Sequence, residues 1–242
     1  MLATKRWSAR FVAILTVLTV LVVSPGVALG QGRLLDRATM VISRDGEVVG
    51  REEFTLHRGR VLDGGAGTFH TGYTLSTSGY YPTSRSYAGT MSVVAFNADS
   101  QPSSARMDLE GTGQPNVFVD FTARRITVRN RTSTGESAGQ FPKPARMLVV
   151  DESLLCSFAV VLPGNGDGSV VLFYPRSGRS ARARLEDHGT QPTEVAGGER
   201  RLRHWTLGTG DVIRHLWYDS SGRLVKIDIP SERLTAYRSP GN

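Results

Sequence analysis

Cysteine is almost absent from this 242-residue chain, and Cys156 is the only one. A single thiol cannot close an internal disulfide, so small cross-linked scaffolds are excluded and stability must come from strand pairing and packing. Zinc motifs built on cysteine pairs are excluded with them. Histidine offers no local substitute: none of the five, His57, His70, His188, His204 and His215, stands three or four residues from another. His204 and His215 fall in neighbouring predicted strands and can face each other, where a plain histidine pair is commoner than a metal site.

Lysine is nearly as scarce. Beyond residue 30 only Lys143 and Lys226 remain, and the cationic excess is almost all arginine. The formal net charge is +7, but Lys5, Arg6 and Arg10 carry three of those charges. Tracts such as Arg124-Arg125 and Arg200-Arg201 stand among acidic or apolar residues and form no basic block. A nucleic-acid face needs clustered cations with interleaved aromatics, so the pattern reads as a solvated arginine-rich surface with no nucleic-acid partner.

Long apolar runs are limited to one, FVAILTVLTVLVV at residues 11–23. It follows a basic start, is broken by Ser24-Pro25-Gly26, and leads to Ala28 and Gly30, small residues where a signal peptidase reads. Residues 1–30 therefore read as a signal peptide, and 31–242 as one exported domain, periplasmic or extracellular, with no stable transmembrane span. An uncleaved N-terminal anchor is the alternative.

What is abundant is strand grammar. Met40-Val41-Ile42-Ser43 meets Arg44-Asp45-Gly46 and then Glu47-Val48-Val49, and an Asp-Gly pair between alternating runs is a strong hairpin signal. Two-residue periodicity recurs in residues 51–57, 67–77, 87–96, 105–111, 117–122 and 125–131, and again from 169 to 238. Turn chemistry separates these stretches, as in Gly197-Gly198, Gly208-Thr209-Gly210 and Ser220-Ser221-Gly222. The longest irregular pieces are residues 78–85 and 132–144.

One segment departs from the habit. In DESLLCSFAVVL, residues 151–162, Leu154, Leu155, Phe158 and Val161 share a helical face, Asp151 or Ser153 can cap it, and Pro163-Gly164 stops it. The expected fold is mainly β: a large antiparallel meander of about a dozen strands, curled into a half-barrel or barrel around one short apolar helix. A β-sandwich is the alternative.

The stretches SRDGEVVGREEFTL, VVDESLLCSFAVVL and LWYDSSGRLVKIDIP occur in that order. Through them the chain resembles a group of uncharacterised bacterial secreted β-rich proteins. In shape that group is loosely similar to the periplasmic lipoprotein carriers, whose unclosed barrel encloses an apolar cavity. The middle stretch departs from the group's usual Asp-Asn-Asn, having Asp151-Glu152-Ser153 instead. The resemblance implies a curled sheet and brings no catalytic residues.

Candidate chemistry is thin. Gly135-Glu136-Ser137-Ala138-Gly139 is a literal G-x-S-x-G, but Pro142 and Pro144 forbid the helix that a nucleophile elbow requires, so a serine hydrolase using Ser137 is a remote reading and a surface loop the plain one. Glu52 and Glu53, if in a strand, point to opposite faces and cannot act as paired carboxylates. Asp167-Gly168 lacks the oxygen ligands of a calcium loop. Nothing calls for a cofactor or a metal. The aromatics are spread over most strands, and together with the apolar helix they fill a core or line a cavity. The expected contacts of an apolar or lipid-like ligand are Leu154, Leu155, Phe158, Phe173, Trp205 and Trp217. The function expected is that of an exported, non-catalytic binding protein, with a structural or protein-interaction module of the cell envelope as the alternative.

Overall fold

The computed structural model describes residues 32–62, 68–81, 89–97, 101–110, 116–160 and 167–240; for 89–93 and 108–110 it describes the backbone only. The segment at 1–30, expected to be a signal peptide, lies outside these residues, as do 82–85 of the irregular piece expected at 78–85.

The first eight strands are β1 (Arg33–Arg44), β2 (Glu47–Leu62), β3 (Phe69–Tyr80), β4 (Gly89–Asn97), β5 (Pro102–Glu110), β6 (Asn116–Phe121), β7 (Arg125–Arg131) and β8 (Glu136–Pro142). The rest are β9 (Met147–Val149), β10 (Gly168–Tyr174), β11 (Arg179–Val195), β12 (Gly198–Thr209), β13 (Val212–Tyr218), β14 (Leu224–Ile229) and β15 (Leu234–Arg238). All fifteen belong to one sheet, ordered β8-β7-β6-β5-β4-β3-β2-β1-β15-β14-β13-β12-β11-β10-β9. The curled single sheet is thus observed, and the two stacked sheets of a sandwich are not.

Nearly every pairing is that of a meander. The exceptions define the shape. β1 pairs antiparallel with β15, from Met40 opposite Arg238 to Arg44 opposite Leu234, which brings the first described strand against the last. β9 pairs parallel with β10, the one parallel ladder among the described strands. The edges are β8 and β9, so the sheet curls without closing its hydrogen-bond ladder. Side chains bridge the gap, with the Phe141 ring of β8 centred 5.6 Å from Phe173 of β10.

Local chemistry explains the tight turns. Asp45 and Gly46 both have positive φ, 52° and 84°, the backbone of a two-residue hairpin whose right-handed twist matches its strands. Aspartate tolerates that region better than most residues, and glycine pays no steric penalty there. Residues 136–139, expected as loop, are instead extended in β8, with Ser137 opposite Asn130 of β7. An edge strand accepts Pro142 at its end because no neighbour requires a donor there.

Alternation along each strand sends one set of side chains inward. Met40, Ile42, Phe54, Leu75, Leu172, Leu207, Leu216 and Ile227 are all at most 2 % exposed, and they meet in one continuous core. Each such side chain contributes about 1.5–3 kcal/mol by leaving water. Trp205 and Tyr218 point into the same core. Trp217, the next residue along β13, lies on the outer face with Leu202 and Val225.

The expected helix is shorter and tighter than an α-helix. A 3₁₀ helix covers Leu155–Val160. Leu154 N–H donates to Asp151 O at 3.1 Å and Ser157 N–H to Leu154 O at 3.3 Å, both three residues back. Residues 161–162 lie outside the described part. This segment enters the interior of the curled sheet and plugs it.

Candidate functional site

The plug is apolar, yet polar groups hold it. Glu52 of β2 is completely buried, and its carboxylate accepts Leu155 N–H at 3.0 Å and Cys156 N–H at 2.7 Å. The Tyr81 hydroxyl donates to the same carboxylate. These are donors that the start of a short helix cannot satisfy from within. At the other end the buried Tyr218 hydroxyl donates to Phe158 O at 2.7 Å. Ahead of the helix, Asp151 forms a two-pronged pair with Arg176, Nε to Oδ1 at 3.0 Å and Nη2 to Oδ2 at 2.8 Å. Asp151 Oδ1 also accepts Ser153 N–H, and Asp151 N–H donates to Ser157 Oγ.

Burial sets the titration of this region. Desolvation raises the Glu52 carboxyl above its usual 4.5, outweighing the donors from Tyr81, Cys156 and Leu155 that pull it down. Burial and the nearby Glu52 charge push the Cys156 thiol well up, and burial does the same to the Tyr218 phenol. Two glycines make room for the plug: a Cβ on Gly79 would lie 2.7 Å from Leu154 Cδ2, and one on Gly50 would run into the Tyr81 ring.

Above the plug lies a cleft of about 800 Å³ at one mouth of the curled sheet. Its apolar floor includes Leu154, Leu155 and Phe158, with Val49, Ile229 and Leu234 from the surrounding strands. Its rim carries Arg44, Arg176, Arg179 and Arg214 together with Asp151, Glu152 and Glu232. Arg179 pairs with Glu152 at 2.9 Å. Arg214, half-buried on the inner face of β13, donates from Nη1 to Thr209 Oγ1 at 2.9 Å and lies 5.9 Å from the centre of the Phe158 ring.

Of the six apolar residues singled out in the sequence, Leu154, Leu155 and Phe158 line this cleft. Phe173 and Trp205 are packed in the core away from it, and Trp217 is on the outside. The sequence reading missed Glu52, Tyr218 and Arg214. Glu52 was findable in principle: it alternates with Gly50 and Phe54, so a strand over these residues sends its carboxylate inward. Glu53, beside it, is exposed, so the two carboxylates do face opposite ways.

On the outer face a second cluster forms. His204 Nε2 and His215 Nδ1 are 3.0 Å apart, and the rings of His188, His204, His215 and Trp217 are stacked. Gln191 Nε2 can only donate to His204 Nδ1, 3.0 Å away, so His204 Nε2–H donates onward to His215. Burial, then the charges of His215 and His188, lower His204 to about 4, which keeps it neutral near neutral pH. Among the described residues, no group of three or more His, Cys, Asp or Glu side chains is arranged to hold a metal ion. Ser137 lies in an extended strand, without the strand–turn–helix elbow of a nucleophilic serine. No described helix is long and apolar enough to cross a membrane.

These features define a β-barrel-like protein with a plugged interior and an open mouth. No protein-family model matches the chain, and no curated protein matches it. Among solved structures it is similar to a crystal structure from Brucella abortus, described as a beta-barrel-like protein of domain of unknown function DUF1849. The TM-score is 0.51 at 10% identity, over 84% of this chain and 94% of that one. At that identity the likeness is one of fold alone.

Proposed function

We propose that this chain is an exported, non-catalytic protein that holds an apolar or lipid-like molecule in the mouth cleft, in the manner of the periplasmic lipoprotein carriers. The observation that carries the reading is the cleft of about 800 Å³ with Leu154, Leu155 and Phe158 of the plug as its floor. That volume falls in the range of small-molecule sites, and the apolar floor is ringed by the charged side chains of Arg44, Asp151, Glu152, Arg176, Arg179, Arg214 and Glu232. Phe173 and Trp205 pack in the core away from the cleft, and Trp217 lies in the outer cluster. The apolar run at 11–23, read as part of a signal peptide, is the support for export.

Titration with a fluorescent fatty-acid probe tests the binding. Saturable enhancement is expected, and Leu155→Asp should abolish it while the circular-dichroism spectrum stays that of the unaltered protein, since that half-buried side chain lines the cleft as well as packing on the core. Absence of saturable binding by the unaltered protein would end the proposal. N-terminal sequencing of protein recovered from its host should begin near residue 31, whereas an intact start would favour the anchored form. A second reading, an envelope interaction module, draws on the free edge of β8. In that case a partner, and not a lipid, should shield the β8 amides from hydrogen exchange.

A further inference from the structure

Of the four arginines of the mouth cleft, Arg44 is exposed to water, and Arg214 is the half-buried one that no carboxylate answers among the described residues. Arg176 is matched by Asp151 at 2.8 Å and Arg179 by Glu152 at 2.9 Å. Arg214 has no such counterpart: among the described residues no carboxylate pairs with it, and its neighbours are the neutral Thr209 hydroxyl, the face of Phe158 and the Tyr174 phenol. Glu232 stands at the same rim but is exposed and makes no ion pair with Arg214. A guanidinium drawn partly out of water onto an apolar floor is poorly compensated by a hydroxyl and a ring. It retains donors able to grip a carboxylate or a phosphate through two parallel hydrogen bonds.

Resting on the reading of the cleft given above, we infer that the ligand is an amphiphile with one anionic head, carboxylate or phosphate, gripped by Arg214 while its chain lies along the half-buried Leu155 and Val49. The geometry gives each half of such a molecule its own surface. The floor formed by the plug is apolar, and Arg214 stands over Phe158 at the boundary between floor and rim.

Calorimetric titration of the protein with dodecanoate, dodecyl phosphate and dodecanol, each below its aggregation limit, separates the two claims. At least one anion should bind about tenfold or more tighter than the alcohol, as a charge-assisted grip implies. Which anion gains more distinguishes a carboxylate ligand from a phosphate one. Arg214→Gln should bring the anions down to the affinity of the alcohol and leave the alcohol unchanged, while Arg214→Lys should restore part of the preference. Equal affinities for all three on the unaltered protein would overturn the anionic head and leave the cleft reading standing. Binding of none of them would overturn both.

Discussion

Replacing Tyr218 with phenylalanine tests the way the plug is held. The hydroxyl is buried and donates to Phe158 O at 2.7 Å, so Tyr218→Phe leaves that carbonyl without its partner inside the sheet. An orphaned buried acceptor costs about 1–3 kcal/mol. Against this, the variant no longer has to bury a hydroxyl, a cost reflected in the raised phenol titration. The ring stays, so no cavity opens. The lost acceptor wins, and the net destabilisation is about 1–2 kcal/mol. For a domain of this size each kcal/mol lowers the melting temperature by about 2–4 °C. Urea unfolding followed by circular dichroism should show a lower midpoint with an unchanged slope. Hydrogen exchange should quicken most within Leu155–Val160, since only the plug loses an anchor. An unchanged midpoint, or a loss of protection spread evenly over the sheet, would refute the clasp.

Three further predictions concern the same interior. Glu52 binds its proton more tightly folded than unfolded, so its contribution to stability is complete below pH of about 4.5 and declines as pH rises through the raised folded value; Glu52→Gln should flatten that part of a melting-temperature profile. Cys156 is fully buried with a thiol held far from ionisation, so iodoacetamide should label it only after denaturant unfolds the chain, and rapid native labelling would contradict the packing. Arg238 pairs with Asp36 through contacts of 2.6 and 3.0 Å on the inner side of the β1–β15 seam; Arg238→Met should cost about 3–5 kcal/mol by stranding the buried carboxylate, and adding Asp36→Leu should recover much of it.

The fold was legible where local chemistry decides. The Asp45-Gly46 hairpin follows from residues that adopt positive φ, and the alternation of β1, β6 and β7 follows from a half-buried sheet. The helix was legible as a short apolar exception, while its 3₁₀ type was not. Spacing of Leu154, Leu155 and Phe158 fits 3₁₀ and α alike, and what chooses is tertiary: Glu52 takes the N–H groups of Leu155 and Cys156 from a strand about a hundred residues away. β8 was hidden by its composition, because glycine, serine and proline read as loop unless the neighbouring strand is known. At the site, the apolar floor was visible in the sequence and the polar clasps were not. A glutamate beside another glutamate looks like solvated surface until the strand's inward face is fixed by Gly50 and Phe54. Trp217 shows the converse: its large apolar ring suggested the interior, while the period of β13 places Leu216 and Tyr218 inside and Trp217 out.

Native mass spectrometry of the protein, purified from its host without added lipid or detergent, tests the central claim most directly. The account predicts a population carrying a non-covalent adduct of lipid mass, displaced by excess dodecanoate and much reduced in Leu155→Asp. Bare protein alone, together with no uptake of dodecanoate by the same sample, would contradict it.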